Sequence, residues 1–372
     1  MSEYKQYPYF IKATVCLLGI ILFMFALYTL RDILVPIAFA GIFSILLNPL
    51  FVRLQRYKIP RVLAIIITLL IAIIVVSAIF YFLSSQIARF SETIPQLKKK
   101  MMSILEEGEH FLFNYFGIAV EKQVQMINQA LEKSKGIVGQ TVSTILGTLG
   151  IILLLPVYIF LFLFYKPLIL NFLFEVFAEE NSKKVADILN QTKSSIQSYM
   201  VGLLLEALVV AILNSTALLL LGVKYAVLFG VLGAILNMLP YIGGLIAIIL
   251  PVLMSLATGD GYSTPLAIVG AYIVIQFIDN NILVPKIVSS KVQINALISI
   301  VVVLLGNALW GIPGMFLSIP FVAIIKIVFD RIEDLKPWGK LLGDEVPTKH
   351  KGQIWSKFGK RSAVSEKAYD KT

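Results

Sequence analysis

The stretch YAVLFGVLGAILNMLPYIGGLIAIILPVLMSLATG, residues 225–259, runs for 35 residues without a charged side chain. As one helix it would be about 50 Å long, whereas the apolar core of a bilayer is about 30 Å thick. Near its middle, Pro240 removes a backbone donor, and Gly243 and Gly244 weaken the helix. We therefore predict two short apolar helices separated by a break.

The same pattern recurs in 292–325, a second long uncharged run whose middle reads GNALWGIPG. Asn307, Pro313 and Gly314 lie in this second break. Each broken run follows a single predicted span, 199–222 before the first and 263–284 before the second. The chain therefore holds two copies of one unit, and paired interrupted segments of this kind point to the binding site of a transporter.

Charge distinguishes two ways of threading these runs. If both are re-entrant hairpins, Lys286 and Lys291 are cytoplasmic, Asp260 is external, and the two units are inverted repeats. If both cross fully, these positions exchange sides, which opposes the positive-inside rule. We favour the hairpins.

Composition sets the class. Of 372 residues, 58% are apolar and 15% are charged, whereas soluble domains are roughly 45–50% apolar and about 25% charged. Further uncharged runs cover 13–30, 33–52, 62–88 and 136–165. We predict an all-α integral membrane protein with about eight hydrophobic segments. The net charge of +10 resides in segments between these runs and forms no basic stripe, so the predicted partner is the lipid bilayer and not nucleic acid.

The loop 53–61 has four basic residues and no acid, which places it in the cytoplasm together with both termini.

The predicted regions are a three-helix membrane region (1–83), an extracytoplasmic amphipathic helical segment (84–145), a transmembrane helix with a cytoplasmic connector (146–198), a transport core (199–330) and a cytoplasmic basic tail (331–372).

Two carboxyl groups interrupt the apolar runs, Glu206 and Asp279. A carboxylate at membrane depth is costly unless it is paired, hydrated or protonated, so both are candidates for ion or proton coupling. Gln276, Asp279 and Asn280 have helical spacing and form a polar stripe. The alternatives are an interfacial position for Asp279, near Lys286, and for Glu206 an interfacial position or a hydrogen bond to Asn214.

The predicted substrate site lies between the two breaks, and the alternative is that the break residues only cap helix ends. Its candidate residues are Asn237, Pro240, Tyr241, Gly243, Gly244, Gln276, Asp279, Asn280, Asn307, Pro313 and Gly314. The two histidines, His110 and His350, lie in polar segments, and the sequence has no HExxH, GxSxG or Walker motif. We predict neither an enzyme nor a bound cofactor or metal.

Seven stretches resemble the autoinducer-2 exporter (AI-2E) family of bacterial permeases. They are LLNPL (46–50), IPR (59–61), SYMVG (198–202), LLGVKYA (220–226), NMLPYIGG (237–244), QFIDNNILVPKIV (276–288) and GNALWGIPGMFLSIP (306–320). The resemblance implies a multi-pass protein of the bacterial cytoplasmic (inner) membrane that exports a small solute, and a homo-oligomer is an expectation. It also covers sodium or lithium/proton antiport.

We therefore expect a gradient-driven permease of a small molecule or ion, since the sequence holds no nucleotide-binding motif. The first alternative is a sodium or lithium/proton antiporter. The second is a non-transporting membrane scaffold or regulator that acts through the polar segment 84–135 and the tail.

Overall fold

The computed structural model describes residues 8–93, 95, 103, 154–176, 182–238, 243–258, 261–288 and 294–344. Within these ranges the chain is helical, and its only extended pairing is one isolated bridge between Ile294 and Gly343. The predicted all-α class is confirmed.

Four helices form the first half of the described chain. They are α1 (Tyr9–Thr29), α2 (Arg31–Arg56), α3 (Arg61–Ser91) and α4 (Leu154–Val176). The apolar faces of α2, α3 and α4 pack together around Phe51, Ile65 and Leu163. The predicted segment 84–145 lies almost entirely outside the described residues, apart from the end of α3.

Helix α5 (Ser182–Leu220) is 39 residues long, or roughly 58 Å at the usual rise. It includes the predicted span 199–222 up to Leu220 but begins 17 residues before that span. Much of the predicted connector therefore belongs to the ends of α4 and α5 and is not a separate segment. Neither hydrophobic periodicity nor charge predicted that α5 continues beyond the apolar span. A helix that extends out of the membrane becomes more polar but remains a helix.

The first broken run is a helical hairpin of α6 (Ala226–Asn237) and α7 (Gly243–Thr258). Its arms, of roughly 18 and 24 Å, are shorter than the apolar core of a bilayer. Met254 near the end of α7 packs in the same cluster as Ala226 at the start of α6. The chain therefore enters and leaves this hairpin at one level of the fold.

The second span is α8 (Ser263–Ile278), which continues as a wider π-helix over Asp279–Val288. The second broken run is α9 (Ala296–Arg331), and its backbone leaves the helical region at Gly311, where φ is 64° and ψ is −145°. A side chain on Gly306 would collide with the carbonyl of Gly314, and one on Gly314 with the carbonyl of Gly306. The arms of α9 therefore fold back on each other.

The two hairpins open at opposite levels of the fold. The open end of the first lies beside the end of α3, where the Tyr225 hydroxyl donates to the Arg89 carbonyl at 3.0 Å. The open end of the second lies beside the start of α5, where Arg331 contacts Asp187 at 3.4 Å. This is the arrangement expected of two inverted units, and the predicted pair of broken runs is confirmed.

Among the described residues, seven helices are long and apolar enough to cross a membrane. They are α1 to α5, α8 with its π-helical extension, and α9. Large apolar side chains cover the outside of the bundle, and no residue of α1 is buried. Such a surface suits contact with lipid.

The start of the predicted tail is folded. Helix α10 (Lys336–Leu342) packs against α9, and the Asn295 amide donates to the carbonyls of Leu341 and Gly343 at 2.7 and 3.0 Å. The rest of the tail lies outside the described residues.

Candidate functional site

Two buried carboxyl groups meet near the tip of the first hairpin. Glu206 lies on α5 and is 5% exposed, and Asp279 lies where α8 becomes a π-helix and is 2% exposed. Local π-helical turns are frequent at functional sites. Both side chains are thus buried inside the bundle, and among the described residues there is no hydrogen bond between Glu206 and Asn214.

Asn237, the last residue of α6, connects the two carboxyl groups. Its Nδ2 donates to Asp279 Oδ2 at 2.7 Å and has a longer contact of 3.5 Å to Glu206 Oε1. The break after α6 makes this possible, because it ends the helix at the depth of both carboxyl groups. We call Glu206, Asn237 and Asp279 the carboxyl–amide cluster.

The predicted polar stripe on α8 is present. Gln276 Nε2 lies 3.4 Å from Asp279 Oδ2 and 3.4 Å from Asn280 Oδ1. Asn280 is exposed, so the stripe extends from the buried cluster to the surface of the described structure. This order gives a polar path between the cluster and the outside of the bundle.

Small residues allow the helices to approach closely around the cluster. An added Cβ at Gly233 would lie 3.2 Å from Ala247 Cβ on α7 and 3.3 Å from Asn214 Nδ2 on α5. An added Cβ at Gly244 would collide with the Gln276 side chain. The hairpin therefore packs against α5 and α8 with little space between the backbones.

A small cavity lies beside the cluster. Its volume is about 10 Å³, which is close to the minimum needed to hold one ordered water molecule. Asn214 Oδ1, Tyr272 Oη and Asp279 Oδ1 are buried and have no hydrogen-bond partner among the described residues, and all three residues line this cavity. Further lining residues are Val210, Gly233, Asn237, Gly244, Ala247, Ile275 and Gln276.

The described residues supply no basic partner for the carboxyl groups of the site. Within the part of the chain that the structure describes, neither Glu206 nor Asp279 makes a salt bridge. No group of three or more His, Cys, Asp or Glu residues suited to a metal ion occurs there either.

The remaining predicted site residues divide into two sets. Pro240 and Tyr241 lie outside the described residues, while Gly243 closes the first hairpin against the Leu236 carbonyl. Asn307, Pro313 and Gly314 lie on the second hairpin, and the structure shows no hydrogen bond from Asn307 to the cluster. Met238 and Trp310, near the two tips, both pack against an apolar cluster that includes Ile42, Met200 and Leu317.

Sequence reasoning did not include Asn214 and Tyr272 among the site residues. Tyr272 precedes Gln276 by four residues and Asp279 by seven, and Asn214 follows Glu206 by eight. Both therefore lie on the helix faces of the candidates already identified. Spacing on the same face was the signal that could have identified them.

The described residues form a helical bundle with seven membrane-length helices, two folded-back hairpins and a buried carboxyl–amide cluster. These features define a multi-pass membrane protein of the transporter class. The chain belongs to the AI-2E transport family. The family model described as AI-2E family transporter matches residues 17–334.

Individual relatives align with this chain over most of their own length. The AI-2 transport protein TqsA of Escherichia coli (strain K12) is 24% identical over 315 residues, which cover 84% of this chain and 90% of TqsA. YueF of Bacillus subtilis (strain 168) is 24% identical over 80% of this chain and 83% of its own length. YhhT of E. coli (strain K12) is 24% identical over 89% and 94%, respectively.

Proposed function

We propose that this chain is a gradient-driven permease that moves a small solute across the bacterial cytoplasmic membrane, with the carboxyl–amide cluster as the site of its coupling proton or cation. The observation that carries the proposal is the placement of two buried carboxyl groups around one amide donor, with no basic side chain to balance them among the described residues.

An ion at this cluster would change which conformation is favoured. A negative charge at membrane depth is costly, and a proton or cation removes that cost. A ligand shifts a conformational equilibrium only by its differential affinity for the two states. The affinity of the cluster for a proton or cation would differ between the two conformations if opening of the hairpin separates Asn237 from Glu206 and Asp279.

The solute site is proposed to lie between the two breaks. In the described conformation the cavity has room for about one water molecule, so an organic solute requires the hairpin tips to separate. The side chains proposed to face the solute are those predicted from the sequence, namely Asn237, Pro240, Tyr241, Gln276, Asp279, Asn280 and Asn307, and the glycines and prolines of the breaks supply the irregular backbone. Similarity to TqsA makes autoinducer-2 the first compound to test.

Sodium or lithium/proton antiport is the second candidate. It is favoured by the small size of the cavity and by its three unpartnered oxygens. Hard cations bind oxygen ligands, including carboxylates and amide oxygens. In this version the ion itself is the substrate, and no larger opening is needed.

Transport by the purified full-length chain in proteoliposomes tests the proposal. Autoinducer-2, Na⁺ and Li⁺ are each supplied with and without an imposed proton gradient, and protein-free liposomes are the control. Solute flux that depends on the gradient supports the permease, and cation-driven proton flux alone supports the antiporter. Absence of flux for every compound, with protein shown to be folded and inserted, would favour the scaffold alternative.

We further propose that both termini are cytoplasmic. The last turn of α2 carries Arg53 and Arg56, and the loop that follows it carries Lys58. The positive-inside rule assigns this basic segment to the cytoplasm. A homo-oligomer remains an expectation from the family resemblance.

A further inference from the structure

Basic side chains from three helices converge at the end of the bundle that lies opposite the open end of the first hairpin. Lys166 on α4 donates to Asn48 Oδ1 on α2 at 2.9 Å. Arg61, the first residue of α3, donates to the α4 carbonyls of Leu163 and Phe164, just before Lys166. Lys193 on α5 lies within electrostatic range of Lys166. We call Arg61, Lys166 and Lys193 the basic triad.

A proline in α4 provides a free backbone carbonyl that holds the Arg61 side chain in position. Pro167 has no backbone N–H, so the Leu163 carbonyl four residues earlier lacks its helical donor. Arg61 Nη2 supplies a donor to the Leu163 carbonyl at 3.1 Å and to the Phe164 carbonyl at 2.6 Å. The guanidinium is thus held in place, yet its Nε is buried without a hydrogen-bond partner among the described residues.

No acid among the described residues pairs with the positive charges of the triad. None of its members forms a salt bridge within the part of the chain that the structure describes. The first-turn N–H groups of α3 add partial positive charge at Arg61, because they have no intrahelical acceptors. Asn48, whose side chain accepts from Lys166, is neutral.

Each member of the triad marks a boundary between apolar and polar sequence. Arg61 directly precedes the uncharged run 62–88, Lys166 directly follows the run 136–165, and Lys193 is the last charged residue of α5 before Glu206. The triad therefore lies at the level where a bilayer's apolar core meets its headgroups. Lys166 is partly buried and Lys193 is exposed, which leaves the triad accessible from one side.

We propose that the basic triad binds a phosphate group, and specifically the headgroup phosphate of an anionic phospholipid. Guanidinium and ammonium groups bind phosphate through charge-assisted hydrogen bonds. Basic pockets between membrane helices on the cytoplasmic side bind lipid headgroups in this way. The inference is independent of the proposed transport function.

Lipid binding to the full-length chain in neutral detergent tests the proposal. Native mass spectrometry compares phosphatidylglycerol with phosphatidylcholine, and a separate arm supplies inorganic phosphate. The test variant is K166Q/K193Q, which leaves the hydrogen bonds from Arg61 to the Leu163 and Phe164 carbonyls intact. The matched control is K183Q/K184Q, which removes two exposed charges from the same helix α5. K193Q alone is a milder variant that breaks no hydrogen bond in the described structure.

The wild-type chain and K183Q/K184Q are expected to prefer phosphatidylglycerol. K166Q/K193Q should lose about tenfold in that preference, since each basic residue near a membrane surface contributes appreciably to the attraction of anionic lipid. K193Q should lose part of it. Binding of inorganic phosphate without lipid preference would support a phosphate site and reject the lipid as its source. A preference that survives in a folded K166Q/K193Q variant, or no binding in either arm, would overturn the proposal.

Discussion

Asn237 holds the site together through one amide group. Its Nδ2 reaches Asp279 at 2.7 Å and Glu206 at 3.5 Å, and an amide nitrogen has only two N–H groups to give. The remaining oxygen of Asp279 has no partner among the described residues. At the scale of single residues, the site is therefore short of donors and rich in acceptors, which is the chemistry of a cation or proton site.

The hydroxyl of Tyr272 provides a test of that interpretation. Tyr272→Phe removes a buried oxygen that has no partner, so the variant should be as stable as the wild type or more stable. If the oxygen is a cation ligand, the Na⁺ or Li⁺ concentration needed to raise the melting temperature should increase about tenfold.

Thermal unfolding in detergent, titrated with NaCl or LiCl against choline chloride, measures this effect. Tyr262→Phe is the matched control, because Tyr262 is 62% exposed and lies outside the site. An unchanged cation response in Tyr272→Phe would show that the hydroxyl only fills space.

Part of this site follows from the sequence. The spacing of Gln276, Asp279 and Asn280 predicts their shared face, and the contacts confirm it. The contacts of Glu206 and Asp279 with Asn237 did not follow, because they depend on where α5 crosses the hairpin tip. No local pattern encodes such a crossing between residues 31 and 42 positions apart.

At the scale of elements, the folded-back hairpins distinguish this bundle from a row of plain spans. Long uncharged runs with Gly and Pro near their middles predicted both breaks, since helix length and bilayer thickness disagree there. The position of the second turn, at Gly311, was not specified, because Gly306, Gly311, Pro313 and Gly314 are all plausible breakers. Only backbone geometry shows which of them turns the chain.

Gly311→Ala should destabilise the second hairpin. The backbone at Gly311 lies in a region that is nearly exclusive to glycine, and a residue with a Cβ there costs about 1–3 kcal/mol. Unfolding in mixed detergent micelles measures the loss. Gly270→Ala is the control, since nothing lies within 4 Å of its added Cβ in α8, and it should be neutral or stabilising by up to about 1 kcal/mol. Equal effects of the two substitutions would contradict a turn at Gly311.

Arg61 and Pro167 should be energetically coupled. Arg61→Ala leaves the Leu163 carbonyl without a donor, at a cost of about 1–3 kcal/mol. Pro167→Ala restores the helical N–H, so Arg61→Ala should cost less in that background, by about 1 kcal/mol. A double-mutant cycle on unfolding free energies measures the coupling, with exposed Arg56→Ala as the control. Additive effects would show that Arg61 does not replace the missing donor.

At the scale of the whole molecule, the two hairpins open at opposite levels of the fold, as inverted repeats require. Tyr225 and the end of α3 mark one level, and Arg331 with Asp187 marks the other. The structure contains no membrane, so the side assigned to each level depends on charge. Composition predicted the class of the protein, whereas the extension of α4 and α5 beyond the apolar core could not be read from hydropathy.

Cysteine labelling tests the sidedness. In a Cys16→Ala background, cysteines at Lys58 and Lys286 should react with a membrane-impermeant reagent from the cytoplasmic side only, and a cysteine at Tyr262 should react from the outside. This follows if both hairpins are re-entrant, because α8 then runs inward from Tyr262 to Lys286. Labelling of Lys286→Cys from outside, with Tyr262→Cys labelled from the cytoplasm, would instead indicate two fully crossing runs.

The most direct measurement of the central claim is proton flux through purified protein in proteoliposomes that carry an internal pH-sensitive dye. The flux is started with Na⁺, Li⁺ or autoinducer-2, and wild type is compared with Asp279→Asn and with the exposed Asp334→Asn. The account predicts substrate-dependent proton flux in wild type and in Asp334→Asn, and a loss of at least about tenfold in a folded, inserted Asp279→Asn variant, because its side chain no longer carries a titratable charge. Unchanged flux and an unchanged pH dependence in Asp279→Asn would show that the carboxyl–amide cluster is a packing feature and that coupling occurs elsewhere.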